Sequence, residues 1–239
     1  MSLRWISVGI LACAIAFPLR AAAESTRHYR AGDRLFVHAS TGLSLRKAPG
    51  LEGEKIGLLP YRQVVYALPD KRAPVAVRFE NISGHWALVE SEQGQGYIFD
   101  GFLSIYPVPA EGEGYRQWAD RAFGKPISDK KTAESEGPEG MTRRMVRYPG
   151  GARYESEQEE PFYGYALVLP SGRLVDGFLV ARGFHDPECL AASERFPKKT
   201  GGRFSASDKR IDVDCGERGA IGIKILEDGS IRINWGSAS

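Results

Sequence analysis

Alternation of apolar and polar residues runs through residues 31–106 and limits what this chain can fold into more than any other feature. A period of two places the apolar side chains on one face of a β-strand. Gly, Pro and Asp residues interrupt the runs, and the block shows no sustained helical spacing. The pattern predicts a small antiparallel β-barrel. The runs contain Leu35 and Val37, Leu43 and Leu45, Val64 to Tyr66, Val75 to Phe79, Trp86 to Val89, and Tyr97 to Phe99.

Residues 1–23 have the features of a signal peptide. Arg4 precedes an apolar run, and three alanines at 21–23 stand directly before Glu24. The run is shorter than the ~20 residues that a transmembrane helix needs. The segment therefore predicts a secreted or periplasmic protein without a transmembrane helix in its mature form. A lipid anchor at Cys13 is the alternative interpretation.

The charge of the mature chain excludes one class of partner. Removal of residues 1–23 takes away Arg4 and Arg20 and lowers the formal net charge from +2 to 0. Nucleic-acid-binding proteins carry a clustered basic surface that shows in their composition. We therefore expect no nucleic-acid partner.

The same removal leaves two cysteines, Cys189 and Cys215. An even pair of cysteines in an oxidising compartment usually forms a disulfide bond. This bond would close a loop of about 25 residues and contribute about 3 kcal/mol to stability. The sequence predicts a disulfide between them.

Residues 107–144 differ in composition from the block before them. They are rich in Gly, Pro and charged residues, as linkers are. Tyr115, Trp118 and Phe123 lie within this stretch at a spacing that suits the apolar contacts of a short helix. We expect a linker with one short helix.

Strand patterns return in residues 145–239. Tyr163 to Leu169 and Leu174 to Val180 flank a turn at 170–172, which predicts a hairpin. Ile221 to Leu226 and Ile231 to Trp235 flank the pair Asp228-Gly229, which favours a tight turn. The block predicts a second antiparallel β domain, so the expected fold class is all-β.

Three motifs in the first block, read in order, point to a known family. Residues 39–49 read ASTGLSLRKAP, with alternating aliphatic residues before an Arg and a Pro-marked loop, and residues 56–60 read IGLLP. Residues 86–104 contain WALV, GYI and DGFLS. Together these motifs resemble the bacterial SH3 domain (SH3b) over residues 37–104, and they imply an SH3-like barrel. Residues 67–84 are longer than the compact family pattern.

The resemblance implies recognition, since family members are frequently exported and bind cell-wall peptides or serve as scaffolds beside another domain. Tyr61, Trp86 and Tyr97 are candidate ligand-binding residues, because aromatic rings offer contact area at low entropic cost. Arg46 is the candidate partner for a carboxylate. The alternative is that Trp86 and Tyr97 belong to the barrel core.

The residue pattern argues against catalysis. Bacterial SH3 domains often accompany cell-wall peptidases that use a Cys and a His, and a nucleophilic Cys needs a base within hydrogen-bond reach. In the second block only His185 is present, four residues before Cys189, whereas these peptidases have the His after the Cys. No G-x-S-x-G, H-E-x-x-H or phosphate-binding motif occurs. We expect no enzymatic activity.

A metal site near the cysteines is a further alternative. His185, Cys189, Asp212, Asp214 and Cys215 offer imidazole, thiolate and carboxylate ligands. Oxidised cysteines do not bind a metal as thiolates. Because we expect the disulfide, we expect neither a bound metal nor a cofactor.

These features predict an exported, non-catalytic binding protein of the cell envelope that recognises peptidoglycan or a protein partner. Residues 150–154 read GGARY and resemble the S-G-x-x-Y motif of exported lysozyme inhibitors, with Gly150 in place of the leading Ser. The alternative function is therefore inhibition of a secreted hydrolase such as lysozyme.

Overall fold

A computed structural model describes residues 29–72, 76–79, 82–134, 141–159, 161–184, 204–207, 209–216 and 219–238. These residues form two antiparallel β-sheets of eight strands each, with two α-helices in the described part. The predicted all-β class is confirmed. The predicted signal peptide, Cys189 and His185 lie outside the described residues, so the predictions made for them stay predictions.

The first sheet is built from the alternating segments of residues 31–106. Its strands are β1 (Arg34–Val37), β2 (Leu43–Arg46), β3 (Lys55–Leu59), β4 (Val64–Ala67), β5 (Ala76–Phe79), β6 (Ile82–Ser91), β7 (Gly94–Phe99) and β8 (Leu103–Ser104). Their order in the sheet is β3-β2-β7-β6-β4-β1-β8, and β5 pairs with β6.

The core of the first sheet follows from the period of two. Leu35, Val37, Leu45, Leu59 and Ile98 are fully buried, as the alternation requires. A 3-10 turn at Asp100–Phe102 reverses the chain after β7 and leads into β8, which pairs with β1. Burial of Phe102 and Leu103 beyond this turn completes the core.

The second sheet contains β9 (Ser128–Glu134), β10 (Met141–Arg147), β11 (Arg153–Glu159), β12 (Phe162–Leu169), β13 (Phe204–Ser207), β14 (Arg210–Asp214), β15 (Ala220–Ile225) and β16 (Ile231–Ala238). The order is β13-β14-β15-β16-β12-β11-β10-β9. Helix α1 (Tyr115–Phe123) precedes the first four of these strands, and helix α2 (Leu174–Phe184) precedes the last four. The sheet therefore consists of two halves with the same topology, joined where β12 pairs with β16.

Both helices pack on the same face of the second sheet. The ring of Tyr115 on α1 stacks on Trp235 of β16 at 3.6 Å between centroids and contacts Phe184 of α2 at 4.3 Å. On α2, Gly177 allows a close approach, because a Cβ there would lie 2.7 Å from Ile231 Cγ2. Neither helix of the described residues has the length and apolarity needed to cross a membrane.

Part of the C-terminal prediction is confirmed and part is wrong. β15 and β16 form the predicted hairpin around Asp228-Gly229. The predicted return strand from Leu174 to Val180 is instead the first part of α2. Leu179 and Val180 are fully buried on this helix. A mostly apolar run of this length fits a buried strand and a buried helix equally well.

The linker is shorter than the 107–144 predicted from composition. A short helix forms in it as expected, at α1, but Ser128–Glu134 is a strand that pairs in full register with β10. This strand lies at the edge of the sheet, where charged side chains are common because they discourage edge-to-edge pairing. Asp129 on it pairs with Arg116 of α1 at 3.0 Å and with Arg144 of β10 at 2.7 Å.

The two sheets are joined by a buried charge cluster around Arg173, directly before α2. Its guanidinium pairs with Asp100 at 3.5 Å and with Asp176 at 3.3 Å, and these carboxylates are almost completely buried. It also donates to the carbonyl oxygen of Leu103 at 2.7 Å and lies over the ring of Tyr29. Burial opposes the charge of Arg173, but the Tyr29, Asp176 and Asp100 groups outweigh it and raise the pKa of Arg173.

Close packing of β6 against this cluster requires a glycine. A Cβ at Gly84 would lie 2.3 Å from Oδ1 of Asp100. The same Oδ1 accepts a hydrogen bond from the backbone N–H of His85 at 2.7 Å. Strand β6 thus provides a hydrogen bond to Oδ1 of Asp100, and Oδ2 of the same carboxylate forms the ion pair with Arg173.

His38 is a second buried group at the junction of the sheets. Its Nε2 lies 2.9 Å from the carbonyl oxygen of Tyr106, and since a carbonyl only accepts, Nε2 carries the proton. Burial lowers the pKa of His38 to about 4, and contacts to the Tyr106 and Leu179 carbonyls offset this only in part. The imidazole is therefore neutral in the folded protein at neutral pH.

Replacement Arg173→Met is expected to lower the free energy of unfolding by about 3–5 kcal/mol, because it leaves two buried carboxylates without a cation. Urea unfolding followed by tryptophan fluorescence measures this. The matched control is Arg210→Met, whose pair with Asp212 is exposed, and a loss below about 1 kcal/mol is expected there. Equal losses in the two variants would contradict a special role for the buried cluster.

His38 makes stability depend on pH in one direction. The unfolded chain takes up a proton on this residue near pH 6.5, whereas the folded protein does so only near pH 4. The contribution of neutral His38 to the free energy of unfolding is complete above about pH 6.5. It falls by about 3 kcal/mol as the pH falls toward 4. In His38→Gln this loss is expected to be absent, so the stability difference between the two proteins shrinks on acidification. Urea unfolding at each pH measures the two stabilities, and a difference between wild type and His38→Gln that stays constant from pH 7 to 4 would contradict the role of His38.

Candidate functional site

A cavity of about 340 Å³ lies on the first sheet where helix α2 meets it. Its walls come from the outer face of β2, β6 and β7, from the loop before β2, and from α2. Two of the four predicted ligand-binding residues, Arg46 and Trp86, line this cavity. The remaining wall residues used below are Ser40, Thr41, Ser44, Phe99, Phe102 and Arg182.

Strand register brings the aromatic wall together. Trp86 on β6 is the cross-strand partner of Phe99 on β7, and cross-strand partners share a face of the sheet. The ring of Phe102 meets Phe99 edge to face, with centroids 5.9 Å apart. All three rings are more than nine-tenths buried, so they form the wall of the cavity and do not project into solvent.

Arg46 holds its guanidinium between the aromatic wall and a backbone carbonyl. Its Cζ lies 6.0 Å from the centroid of the Trp86 ring, and Nη1 donates to the carbonyl oxygen of Gly53 at 2.6 Å. Its Nε is buried and has no hydrogen-bond partner. A buried donor without an acceptor costs about 1–3 kcal/mol. Because this Nε has almost no accessible surface, it lies inside the wall and does not itself meet a ligand in the cavity.

A second cation reaches the cavity from the other side of the junction. Arg182 lies near the end of α2, the helix that packs on the second sheet, and lines the same cavity as Arg46. Among the described residues that line the cavity there is no Asp or Glu. The described wall therefore combines two guanidiniums with aromatic rings and with the hydroxyls of Ser40, Thr41 and Ser44.

Tyr97 and Tyr61 do not line the cavity. Tyr97 is 2% exposed, its hydroxyl donates to Asp70 at 3.2 Å, and Arg72 lies over its ring at 4.6 Å. It therefore anchors the loop after β4 to β7, in agreement with the alternative that it is a core residue. Tyr61 is half-buried in the turn between β3 and β4, with the guanidinium of Arg62 over its ring.

The residues that sequence reasoning missed come from three separate places. Arg182 belongs to a helix that was predicted as a strand, and no local pattern connects it to Arg46. Phe99 and Phe102 were recognised only as apolar residues near a turn. Ser40 in the loop before β2 and Ser44 on β2 lie within the motif ASTGLSLRKAP, so their place in this motif was the one signal available.

Two alternatives from the sequence, a metal site and a lysozyme-inhibitor motif, can be compared with the structure. Among the described residues, no group of three or more His, Cys, Asp or Glu side chains is arranged to hold a metal ion. The candidate ligands His185 and Cys189 lie outside the described residues. Tyr154 of the motif GGARY is buried, so its ring does not face a partner.

Comparison of this chain with family models, with curated proteins and with solved structures finds no match. The fold and the cavity define a two-sheet antiparallel β protein with a small, aromatic-walled cavity that Arg46 and Arg182 line. A function for it rests on its own residues and geometry.

If Arg46 serves the cavity and not the fold, its loss has little effect on stability. Arg46→Met keeps the apolar stem, removes the bond to Gly53 and also removes the buried Nε that lacks an acceptor. These effects oppose each other, so the free energy of unfolding is expected to change by less than about 1 kcal/mol. Denaturant unfolding measures this, and a loss above about 2 kcal/mol would instead identify Arg46 as a structural residue.

Proposed function

We propose that this chain is an exported, non-catalytic binding protein of the cell envelope, and that the cavity at Arg46 and Trp86 is its ligand site. The ligand is peptidoglycan or an envelope protein. The observation that carries the proposal is the cavity itself, where the guanidinium of Arg46 lies 6.0 Å from the ring of Trp86 in a wall of buried aromatic rings. The resemblance of residues 37–104 to the bacterial SH3 domain and the signal-peptide pattern of residues 1–23 agree with it.

The size and lining of the cavity support binding. Its volume of about 340 Å³ is at the lower end of the roughly 300–1,000 Å³ found for ligand pockets, which suits one or two residues of a chain that continues outside. Ligand pockets are mostly apolar with a few placed polar groups, and this cavity has three rings, three hydroxyls and two guanidiniums.

The same lining gives no support to catalysis. Acid–base chemistry needs a titratable group whose pKa lies near the working pH, placed within reach of the reacting atoms. The hydroxyls of Ser40, Thr41 and Ser44 are the nucleophile candidates, and no His, Asp, Glu or Lys is among the described residues of the cavity wall. Arginine stays protonated and is suited to holding an anion.

A feature of the second sheet favours the alternative function, inhibition of a secreted hydrolase. The face away from the helices has a depression of about 680 Å³, lined among others by Lys130, Arg143 and Asn234. Strand register aligns five cations in one row across this face: Arg147, Arg153, Arg232, Lys224 and Arg210. Glu155 pairs with two of them, Arg153 and Arg232, and Asp212 pairs with Arg210. Acidic residues, among them Glu157, Glu159 and Asp214, lie toward the opposite end of the strands.

A surface of mixed charges suits a protein partner better than a uniform polyanion, because its acidic side chains repel a polyanion. If the alternative is correct, adding the purified protein to lysozyme slows the clearing of a bacterial suspension, and Lys224→Glu combined with Arg147→Glu weakens the effect. Undiminished clearing at equimolar protein would rule out inhibition of this enzyme.

The leading proposal is tested by co-sedimentation of the purified protein with insoluble peptidoglycan at low salt. We expect the wild-type protein to sediment with the cell wall and Arg46→Met to bind about ten-fold more weakly, since it loses one charged hydrogen bond to the ligand. The matched control is Lys47→Met, the adjacent residue, whose side chain is exposed and pairs with Glu54. Absence of wild-type sedimentation would contradict recognition of peptidoglycan, and equal weakening by both variants would contradict the cavity as its site.

A further inference from the structure

We infer that the outer face of the second sheet, the face away from both helices, docks a protruding loop of a protein partner. Three side chains of this chain hold the loop: Asn234, Met145 and Lys130. The inference rests on the alternative function, because it specifies which part of a partner this face accepts. It does not depend on the cavity of the first sheet.

The outer face is large enough for a stable protein interface. Its eight strands lie about 4.8 Å apart, so the sheet is about 34 Å wide, and its strands are about 20 Å long. The face therefore covers on the order of 700 Å², close to the ~800 Å² that each partner contributes to a standard interface. Both described helices pack on the opposite face, and Lys130 and Asn234 are exposed on this one.

The floor of the depression on this face allows the backbone of a partner to approach closely. Strand register places Gly164 beside Gly236 and Ala166 beside Asn234, on β12 and β16. Three of these four residues have no side chain beyond Cβ, so the backbone of the sheet borders a volume of about 680 Å³.

Asn234 is the polar residue of this floor. Its side chain lies across Gly222 of β15, where a Cβ would be 2.9 Å from Nδ2. The amide makes no hydrogen bond with a described residue. An amide offers both donors and an acceptor, so Asn234 is able to pair with a peptide group of the inserted loop.

One wall of the depression joins an apolar side chain to a cation. Met145 on β10 and Lys130 on β9 are cross-strand partners, so their side chains share the outer face with Cβ atoms about 5 Å apart. Met145 is 39% exposed although it is a large apolar residue. Its flexible thioether side chain adapts to the shape of an apolar partner side chain.

The ion pairs around the depression leave one cation for the partner. Each arginine of the lining forms an ion pair: Arg143 with Glu157, Arg144 with Asp129 and Arg232 with Glu155. Lys130 makes no ion pair with a described residue. The complement of this wall is therefore a single carboxylate, directly beside the apolar side chain that contacts Met145.

The shape and charge of the face disfavour two other occupants. A second copy bound through the same face would set two depressions against each other and leave both unfilled. A polyanion would meet Glu155 and Glu157 in the lining, and their charges repel it. A different protein with a protruding loop that carries one carboxylate fits both the shape and the charge.

The experiment places the photo-reactive residue p-benzoylphenylalanine at Thr132, which lines the depression. The matched control places it at Lys131, the adjacent residue of β9, whose side chain lies on the opposite face. Both proteins are expressed in the cells that produce this chain, and the cells are irradiated. We expect one discrete adduct with a different protein from position 132 and none of that mass from position 131. The cross-linked peptide is expected to contain Asp or Glu beside a large apolar residue.

Three substitutions in the position 132 protein test the assigned contacts. Lys130→Glu and Met145→Asp are each expected to lower the adduct yield about ten-fold or more, because each places a carboxylate against that of the loop. Asn234→Ala is expected to lower it about five-fold, the effect of one neutral hydrogen bond. Lys125→Glu, at an exposed lysine directly after α1, is the control that retains the yield. Urea unfolding verifies that each variant is folded, and Met145→Gln replaces Met145→Asp if the latter is not.

The outcomes separate the docking surface from the alternative function. No adduct from position 132, or equal adducts from positions 132 and 131, overturns the docking surface. An adduct of twice the mass of this chain identifies a second copy and overturns a different protein as the occupant. A variant that leaves the yield unchanged overturns the contact assigned to its residue. If the expected adduct forms and its partner is not a hydrolase, the docking surface is correct and inhibition of a hydrolase is wrong.

Discussion

The structure depends on one buried interaction, the contact of Arg173 with Asp100 and Asp176. Asp100 belongs to the turn that ends the first sheet, and Asp176 belongs to the helix that covers the second. A buried guanidinium between two buried carboxylates tolerates little displacement, because loss of any partner leaves a charge uncompensated in a low dielectric. The cluster therefore sets where α2 lies against the first sheet, and with it the position of Arg182.

The cavity is a consequence of that junction. Trp86 and Arg46 come from adjacent parts of the first sheet, but the cavity wall is complete only when α2 adds Arg182. Arg46 keeps a buried Nε without an acceptor, while its Nη1 donates to the carbonyl oxygen of Gly53. The hydrogen bond to Gly53 fixes the guanidinium beside the ring of Trp86.

The candidate site was predictable in part. Arg46 and Trp86 were identified from a motif and from the chemistry of their side chains, since an arginine beside an aromatic ring suits anion recognition in any fold. Tyr97 and Trp86 are both buried, in agreement with the alternative that they belong to the core, but the hydroxyl of Tyr97 is engaged by Asp70 whereas Trp86 lines the cavity. Which buried ring borders a cavity depends on the surrounding loops, which alternation does not describe, and so the motif did not distinguish Trp86 from Tyr97.

The sequence by itself determined the strands of the first sheet and the last hairpin, because a period of two and an Asp-Gly turn act between neighbouring residues. It did not determine α2, because a mostly apolar run of this length is compatible with helix or strand until its surroundings are known. It did not determine β9, since a charged edge strand has the composition of a linker. Only the tertiary structure brought Arg182 into the wall of the cavity that Arg46 lines, because the place of α2 depends on ion pairs of Arg173 with residues of which Asp100 is distant in the chain.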